Sequence, residues 1–417
     1  MKLEHNTASG LARYPSADRI GLAKLTTMAF NGVDLLPLRN ELISKVVAGL
    51  AGPGEGLDLS LIMQLLGDKP TGVSVQAEVL AHHQLYRSPC VSAQPKLRVL
   101  ALAAAIDMGG NTPIDFLLEN SGIELQTLYV VEGVDLPAPL PEHDVAIVIA
   151  SDSAECVEAL RKIDAMASHW PRPLLNPPRL IRNLDRDKLY ALLRGIRGLD
   201  MPATACVTRA QLSKITQANA GLADVATELK FPIILRPRGS HAGVGLARIE
   251  DGSMLEEYLS GRPEQEFFVA RFVDYASADG RFRKYRVVFV DGHAYACHMA
   301  IADRWDIWYL NAGMAFSASK RLEEERFMRD FDVDFAARHR GTLAAIAERV
   351  GLDYFAIDCA EDRNGALLMF EADNTAIVHN MDSPAVFPYK PPQMRKIFDA
   401  FAAMLYRRAR PGQEQAA

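Results

Sequence analysis

The chain has no pair of cysteines at short spacing. Its five, Cys90, Cys156, Cys206, Cys297 and Cys359, are scattered over 417 residues, which argues against a zinc ribbon, a CxxC redox centre or a disulfide framework. No apolar run approaches the roughly 18 residues that a membrane-spanning helix needs, and the opening MKLEHNTASG has no apolar stretch. A surplus of positive charge is missing as well. Lys and Arg number 46 against 52 Asp and Glu, a net charge of −6, which disfavours nucleic-acid binding through bulk charge. Also absent are GxxxxGK[ST], HExxH, GxSxG and a kinase-type His-Arg-Asp loop, the signatures of several common catalytic designs. The expectation is a cytoplasmic protein with reduced cysteines and neither membrane nor nucleic acid as a partner.

What is present is ordinary globular composition, 49% hydrophobic and 24% charged, in a chain long enough for two or three domains. Residues 1–95 read as a helical unit. Leu42, Ile43, Val46, Val47 and Leu50 recur at helical spacing, as do apolar residues in 57–66 and 79–85, and Gly-Pro-Gly at 52–54 interrupts them. The unit carries no cluster of His, Cys or paired acids, so its expected role is packing, homodimerisation or contact with a partner. Residues 96–181 change period. Strand-length apolar runs at 97–105, 125–131 and 145–150 alternate with a helix opening at Pro113, the pattern of a parallel sheet. Such sheets bind ligands at the carboxyl ends of their strands, where Gly109, Gly110 and Asn111 fall; a glycine turn without a ligand is the commoner case. The remainder divides into 182–265 and 266–408, with 409–417 as a tail expected to fray.

Phe231-Pro-Ile-Ile-Leu-Arg236 reads as a buried strand ending in a cation, and 246–249 as its antiparallel return. Between them, Gly239, Ser240, His241, Gly243 and Gly245 leave backbone N–H groups free to approach phosphate oxygens. An unliganded glycine hairpin would look the same, but Arg236 at the loop's mouth strengthens the phosphate reading, because a guanidinium binds phosphate in bidentate fashion. Upstream, Asp185 or Asp187 caps a helix that carries Lys188 in its first turn.

Residues 354–360 and 366–373 form two apolar strand runs around Asn364-Gly365, a two-residue hairpin signal. A turn at those two residues sets Asp358 opposite Glu371, with Asp373 on the same face. Three acids on one face of an apolar hairpin repel unless a positive group sits among them, and carboxylates on a rigid scaffold suit Mg2+. A second hairpin turns at Asp291-Gly292. It places Lys284 and Arg286 on one face and sets Tyr285 against His298 on the other. The basic run Arg281, Arg283, Lys284, Arg286 suits anions or a solvated edge. His298 has no nucleophile partner in the sequence; with Trp305, Trp308 and Tyr309 it either lines an acceptor pocket or packs in the core.

In their order and spacing these pieces resemble the ATP-grasp superfamily over residues 97–405. The nearest types are its carboxylate–amine ligases, such as glutathione synthetase, D-alanine–D-alanine ligase and the glutamate ligases of ribosomal protein. The resemblance implies an α/β and α+β architecture: an ATP-grasp fold preceded by a Rossmann-like α/β domain, here with an added N-terminal helical segment. It further implies ATP and Mg2+, small-molecule carboxylate and amine substrates (amino acids or a peptide), and an acyl-phosphate route to an amide. By the same resemblance Lys188 and Arg236 are the two phosphate-binding cations, and residues 239–245 are the loop over the phosphates. Ala270 and Phe272 lie on the hinge strand whose backbone meets adenine, Arg286 steadies the transferred phosphoryl, and Asp358, Glu371 and Asp373 fall on metal-binding positions. The usual ending is Glu-x-Asn, whereas this chain reads Glu371-Ala-Asp373-Asn374, so either Asp373 or Asn374 takes the last position. Arginine at 236 stands where lysine is usual. Two alternatives stay open: a phosphotransferase or ligase with a non-amine acceptor, and a catalytically weak nucleotide-binding regulator or scaffold.

Overall fold

The computed structural model describes residues 15–216, 221–226, 228–240 and 243–410; the expected frayed tail falls largely outside them. Three sheets organise the chain, and the expected α/β and α+β architecture is present. The first is six-stranded, in the order β1-β2-β4-β3-β5-β6. It comprises β1 (Ala17–Asp18), β2 (Leu85–Arg87), β3 (Arg98–Ala104), β4 (Glu124–Val130), β5 (Val145–Val148) and β6 (Leu174–Leu175). Its centre is parallel, β4 and β5 flanking β3. β3 reads Arg-Val-Leu-Ala-Leu-Ala-Ala and is buried from Val99 onward, as a parallel strand covered on both faces must be.

Four helices precede this core: α1 (Leu22–Phe30), α2 (Leu36–Val47), α3 (Pro53–Leu65) and α4 (Lys69–His82). Gly-Pro-Gly at 52–54 begins a helix where the sequence suggested only a break, because Pro53 suits a first helical position. The apolar run 79–85 is split. α4 ends at His82, and Leu85 and Tyr86 enter β2, which pairs antiparallel with β4. The helical segment thus contributes two strands to the α/β sheet.

β7 (Leu199–Asp200) crosses to a distant sheet. Next come β8 (Thr204–Thr208), β9 (Ile233–Pro237), β10 (Ala247–Ile249) and β11 (Glu266–Arg271), an antiparallel sheet in the order β10-β9-β11-β8. Its core is its own, built on Leu212, Ile233, Leu235, Leu255, Phe267 and Val269. The third sheet holds β12 (Phe282–Val290), β13 (His293–Ala302), β14 (Tyr354–Glu361) and β15 (Leu367–Asp373), in the order β13-β12-β14-β15-β7. Its apolar face is continuous with the core of the first sheet, joined through Ile397, Phe398, Phe401 and Met404 of the C-terminal helix Lys390–Ala409. No helix among the described residues is long and apolar enough to cross a membrane.

Candidate functional site

The acidic hairpin and the basic hairpin share one sheet, and both depart from their expected registers at one place. β14 and β15 close one residue off the expected turn. Asp362 N donates to Ala366 O at 2.9 Å, and Asp362 Oδ1 accepts from Asn364 N and Ala366 N at 2.8 Å each. A bulge between Asp358 and Cys359 then takes up one residue, so Asp358 does face Glu371. The expected pair forms through two departures that cancel. In the other hairpin the two-residue turn is as expected, with Asp291 and Gly292 both at positive φ, 50° and 79°. A bulge between Arg286 and Val287 overturns the pairing beyond it: His298 lies opposite Arg286, and Tyr285 opposite Met299. Arg286 is also the direct neighbour of Asp358 across β12 and β14. The two bulges therefore flank one cation–carboxylate pair, a position where bulges re-aim side chains.

That pair is the electrostatic centre. Arg286 Nε and Nη2 donate to the two oxygens of Asp358 at 2.7 and 3.0 Å, and Lys284 Nζ lies 2.7 Å from Oδ2. The side chain of Asp358 is 5% exposed. Burial alone would raise its pKa, but Arg286 and then Lys284 outweigh burial and hold the carboxyl well below its ordinary range. Glu371 behaves likewise. Burial opposes its charge, and Arg186, bonded to its Oε2 and to Phe370 O, draws its pKa down. Asp373 has no cation bonded to it. Its Oδ1 accepts from Thr375 N and Oγ1 at 2.6 and 2.7 Å, and burial pushes its carboxyl up. Asn374 donates through Nδ2 to Ala150 O at 2.9 Å, at the end of the first sheet, while its Oδ1 is buried without a hydrogen-bond partner.

The sequence suggested that the acids need a positive group among them, for which Mg2+ was the expected candidate. Instead Lys284, Arg286 and Arg186 supply it. Among the described residues no three of His, Cys, Asp and Glu lie close enough to hold a metal ion. Both oxygens of Asp358 and Oε2 of Glu371 are engaged by the chain's own cations, which leaves Asp373 and the unpartnered Asn374 Oδ1 as the groups here without a bonded cation among the described residues.

Facing the cluster from the second sheet is Arg236 on β9. It donates to Ser240 Oγ at 3.1 Å and to Ser240 O, and no carboxylate is bonded to it. Burial, and next the neighbouring Arg186, push its pKa down to about 10. Two guanidiniums so placed repel each other and have capacity for an anion. Gly239, Gly243 and Gly245 follow at φ 73°, 75° and 70°, conformations that suit glycine. Tyr258 ties the loop's end by donating to Gly245 O at 2.6 Å. His241 lies outside the described residues.

Lys188 is not brought into this group. It is exposed, and its Nζ donates to Arg182 O at 3.3 Å. Arg186, two residues earlier in the helix Arg186–Leu193 capped by Asp185, is the cation that reaches the hairpin. The sequence signal was available, since Asp185-Arg-Asp187-Lys188 offers two cations, but only packing selects between them. Ala270 sits mid-sheet between Thr204 and Ile234. Phe272 follows at the strand's exit, its ring 4.2 Å from the Arg248 guanidinium and edge-on to Trp305. Arg281 and Arg283 are drawn away, both paired with Asp279 and Arg283 also with Glu323. Gly110 and Asn111 fix the turn after β3. Asn111 clamps Ala104 N and O at 2.8 and 3.0 Å, and a Cβ on Gly110 would lie 2.4 Å from Ile106.

One network was missed by sequence reasoning. Lys390, 3% exposed, lies 2.8 Å from Asp382 and 3.6 Å from Glu324. Glu324 accepts from Tyr389 and Tyr309, and the Tyr309 ring packs tilted against His298, their centres 4.6 Å apart. Burial, and next Arg286, hold the His298 pKa well below its ordinary value, so the ring is neutral at pH 7.

No family model matches the sequence, and no curated protein does. The solved structures to which this chain is similar include the following three. A RimK-domain ATP-grasp protein from Sphaerobacter thermophilus is 17% identical, with 74% of this chain and 99% of that one covered, at a TM-score of 0.44. The VanG D-Ala:D-Ser ligase from Enterococcus faecalis is 10% identical, with 74% and 100% covered and a TM-score of 0.44. D-alanine–D-alanine ligase from Bacillus anthracis, complexed with ATP, is 12% identical, with 75% and 96% covered and a TM-score of 0.42. At these values the likeness concerns the fold alone.

Proposed function

We propose that the chain is an ATP-dependent ligase that activates a carboxylate as an acyl phosphate and joins it to an amine, with ADP and phosphate as by-products. The observation that carries this reading is the convergence of Arg236 and its glycine loop, from one sheet, on Arg186, Arg286 and Lys284 beside another. Four cations stand against Asp358, Glu371, Asp373 and the half-buried Asp152, and Arg236, bonded to no carboxylate among the described residues, is the cation left for a polyphosphate. In the first step a substrate carboxylate oxygen attacks the terminal phosphorus and ADP leaves. The amine nitrogen then attacks the acyl carbon, phosphate leaves, and the nitrogen loses a proton. The residues' part is to hold the phosphates and offset charge on the transferred group, with Arg286 and Arg236 nearest that task. No side-chain nucleophile is required. No step is assigned to a metal.

The locked pairs on Asp358 and Glu371 favour a second reading, a protein that binds nucleotide without turnover. Incubation with ATP and a pooled library of amino acids and small acids, in Mg2+ and in EDTA, separates the two. The ligase reading expects phosphate release and ADP only when acceptor and donor are both present, with a new amide mass. ATP binding without substrate-dependent phosphate release supports the second reading, and AMP as product excludes the acyl-phosphate route.

A further inference from the structure

The carboxyl ends of β3 and β4, where a parallel sheet ordinarily opens to a ligand, are roofed by the helical segment. Met108, just after β3, donates its N–H to Gln64 Oε1 of α3 at 2.9 Å and packs into the core of α1 and α3. Asp107 beside it pairs with Lys69. Under this roof lies a cavity of about 50 Å3, lined among others by Arg19, Asp58, Asp115, Thr127 and Tyr129. One water needs roughly 10–15 Å3 on this measure, so the space holds several water-sized groups or one small bonded molecule.

The lining is unfinished in two respects. Arg19 Nε and Thr127 Oγ1 are buried without hydrogen-bond partners, and Thr127 is 2% exposed. Both are donors in want of an acceptor. The charges do not balance either. Arg19 lies 3.6 Å from Asp115, donates through Nη2 to Ser88 Oγ at 3.2 Å and also interacts with the Tyr129 hydroxyl. Asp58 accepts only backbone N–H groups, from Ile20 at 2.6 Å and Gly21 at 3.2 Å. One guanidinium therefore faces two carboxylates, and burial pushes the Asp58 carboxyl up in spite of those bonds. An enclosed net negative charge is costly. The occupant that completes this lining carries acceptor oxygens for Arg19 and Thr127 and a cation for Asp58 and Asp115, within a few heavy atoms.

We propose that this cavity binds a small amino-acid zwitterion of the size of glycine or alanine, its carboxylate on Arg19 Nε and Thr127 Oγ1 and its ammonium toward Asp58 and Asp115. The site is separate from the cation–carboxylate cluster and does not depend on the ligase reading. Thr112 lines the cavity and donates through Oγ1 to Asn374 O at 2.8 Å, which connects it to the end of the acidic hairpin.

The test uses the full chain without nucleotide. Melting curves and titration calorimetry are run with glycine, alanine, leucine, acetate and methylammonium. Glycine or alanine is expected to raise Tm saturably, while leucine fails on size and the two half-ligands fail on charge. Thr127→Val should weaken that binding at least tenfold and Thr127→Ser should retain it. Valine keeps the shape and removes an unpartnered hydroxyl, so the variant should fold. The proposal is overturned if no ligand shifts the melt (a cavity that holds water only), if leucine or acetate matches glycine, or if Thr127→Val binds as the parent does.

Discussion

Asp358 shows how a single residue changes meaning between sequence and structure. Among like charges, its neutralisation would relieve repulsion. Between Lys284 and Arg286 it anchors a buried pair, and Asp358→Asn should lower stability by about 3–5 kcal/mol, because two cations lose their partner. The pH dependence follows from the depressed pKa. The contribution is fully present above the unfolded carboxyl value of about 4 and is lost as pH falls through the lower folded value. Urea melts of parent and variant between pH 2 and 7 should converge at the acid end; an equally stable variant at pH 7 would show that the pair contributes nothing. Arg186 and Lys188 make a second contrast. Arg186→Gln should weaken nucleotide binding about tenfold or more through loss of a charge-assisted contact, whereas Lys188→Gln should leave it nearly unchanged. Calorimetry with ATP reads both, and the reverse order would restore Lys188 to the site.

At the scale of elements, the loop between β9 and β10 depends on two glycines in different ways. A Cβ on Gly245 would lie 2.6 Å from Pro237 Cδ, at a φ of 70°, so both the ring and the backbone resist it. Gly239 has a similar φ of 73° but open space around it. Gly245→Ala should cost about 2–3 kcal/mol and Gly239→Ala only about 1 kcal/mol. Equal costs in denaturant melts would mean that the contact with Pro237 is not maintained. The bulges belong to this scale too. Neither is visible in the alternation of apolar residues, yet together they set which side chains face Asp358.

For the whole molecule, the helical segment is part of the fold. β2 covers the edge of β4, Leu85 and Tyr86 are buried there, and a Cβ on Gly54 of α3 would lie 1.8 Å from Asp18 O of β1. A chain starting near residue 95 would expose that edge and its apolar face, and it should aggregate on size-exclusion chromatography. A soluble, cooperatively melting truncation would show that the segment is dispensable.

Much of this was legible along the chain. Apolar runs of strand length located β3, β4, β5, β14 and β15, because a strand buried on its faces must be apolar whatever surrounds it. Gly365 and the pair Asp291-Gly292 marked their hairpins, because few residues accept positive φ. What the chain alone left open is which charges meet. Arg186 and Lys188 differ by two positions on one helix, and Asp373 and Asn374 by one at the end of β15. Lys188 and Asp373 keep local partners, Arg182 and Thr375, whereas those of Arg186 and Asn374 are fixed by the packing of separate sheets, whose contacts join residues more than a hundred positions apart. Arg186 finds Glu371, Asn374 finds Ala150, and Thr112 finds Asn374. Local propensity is encoded within a few residues, whereas electrostatic partnership is a property of the assembled core, and only the tertiary structure decided it.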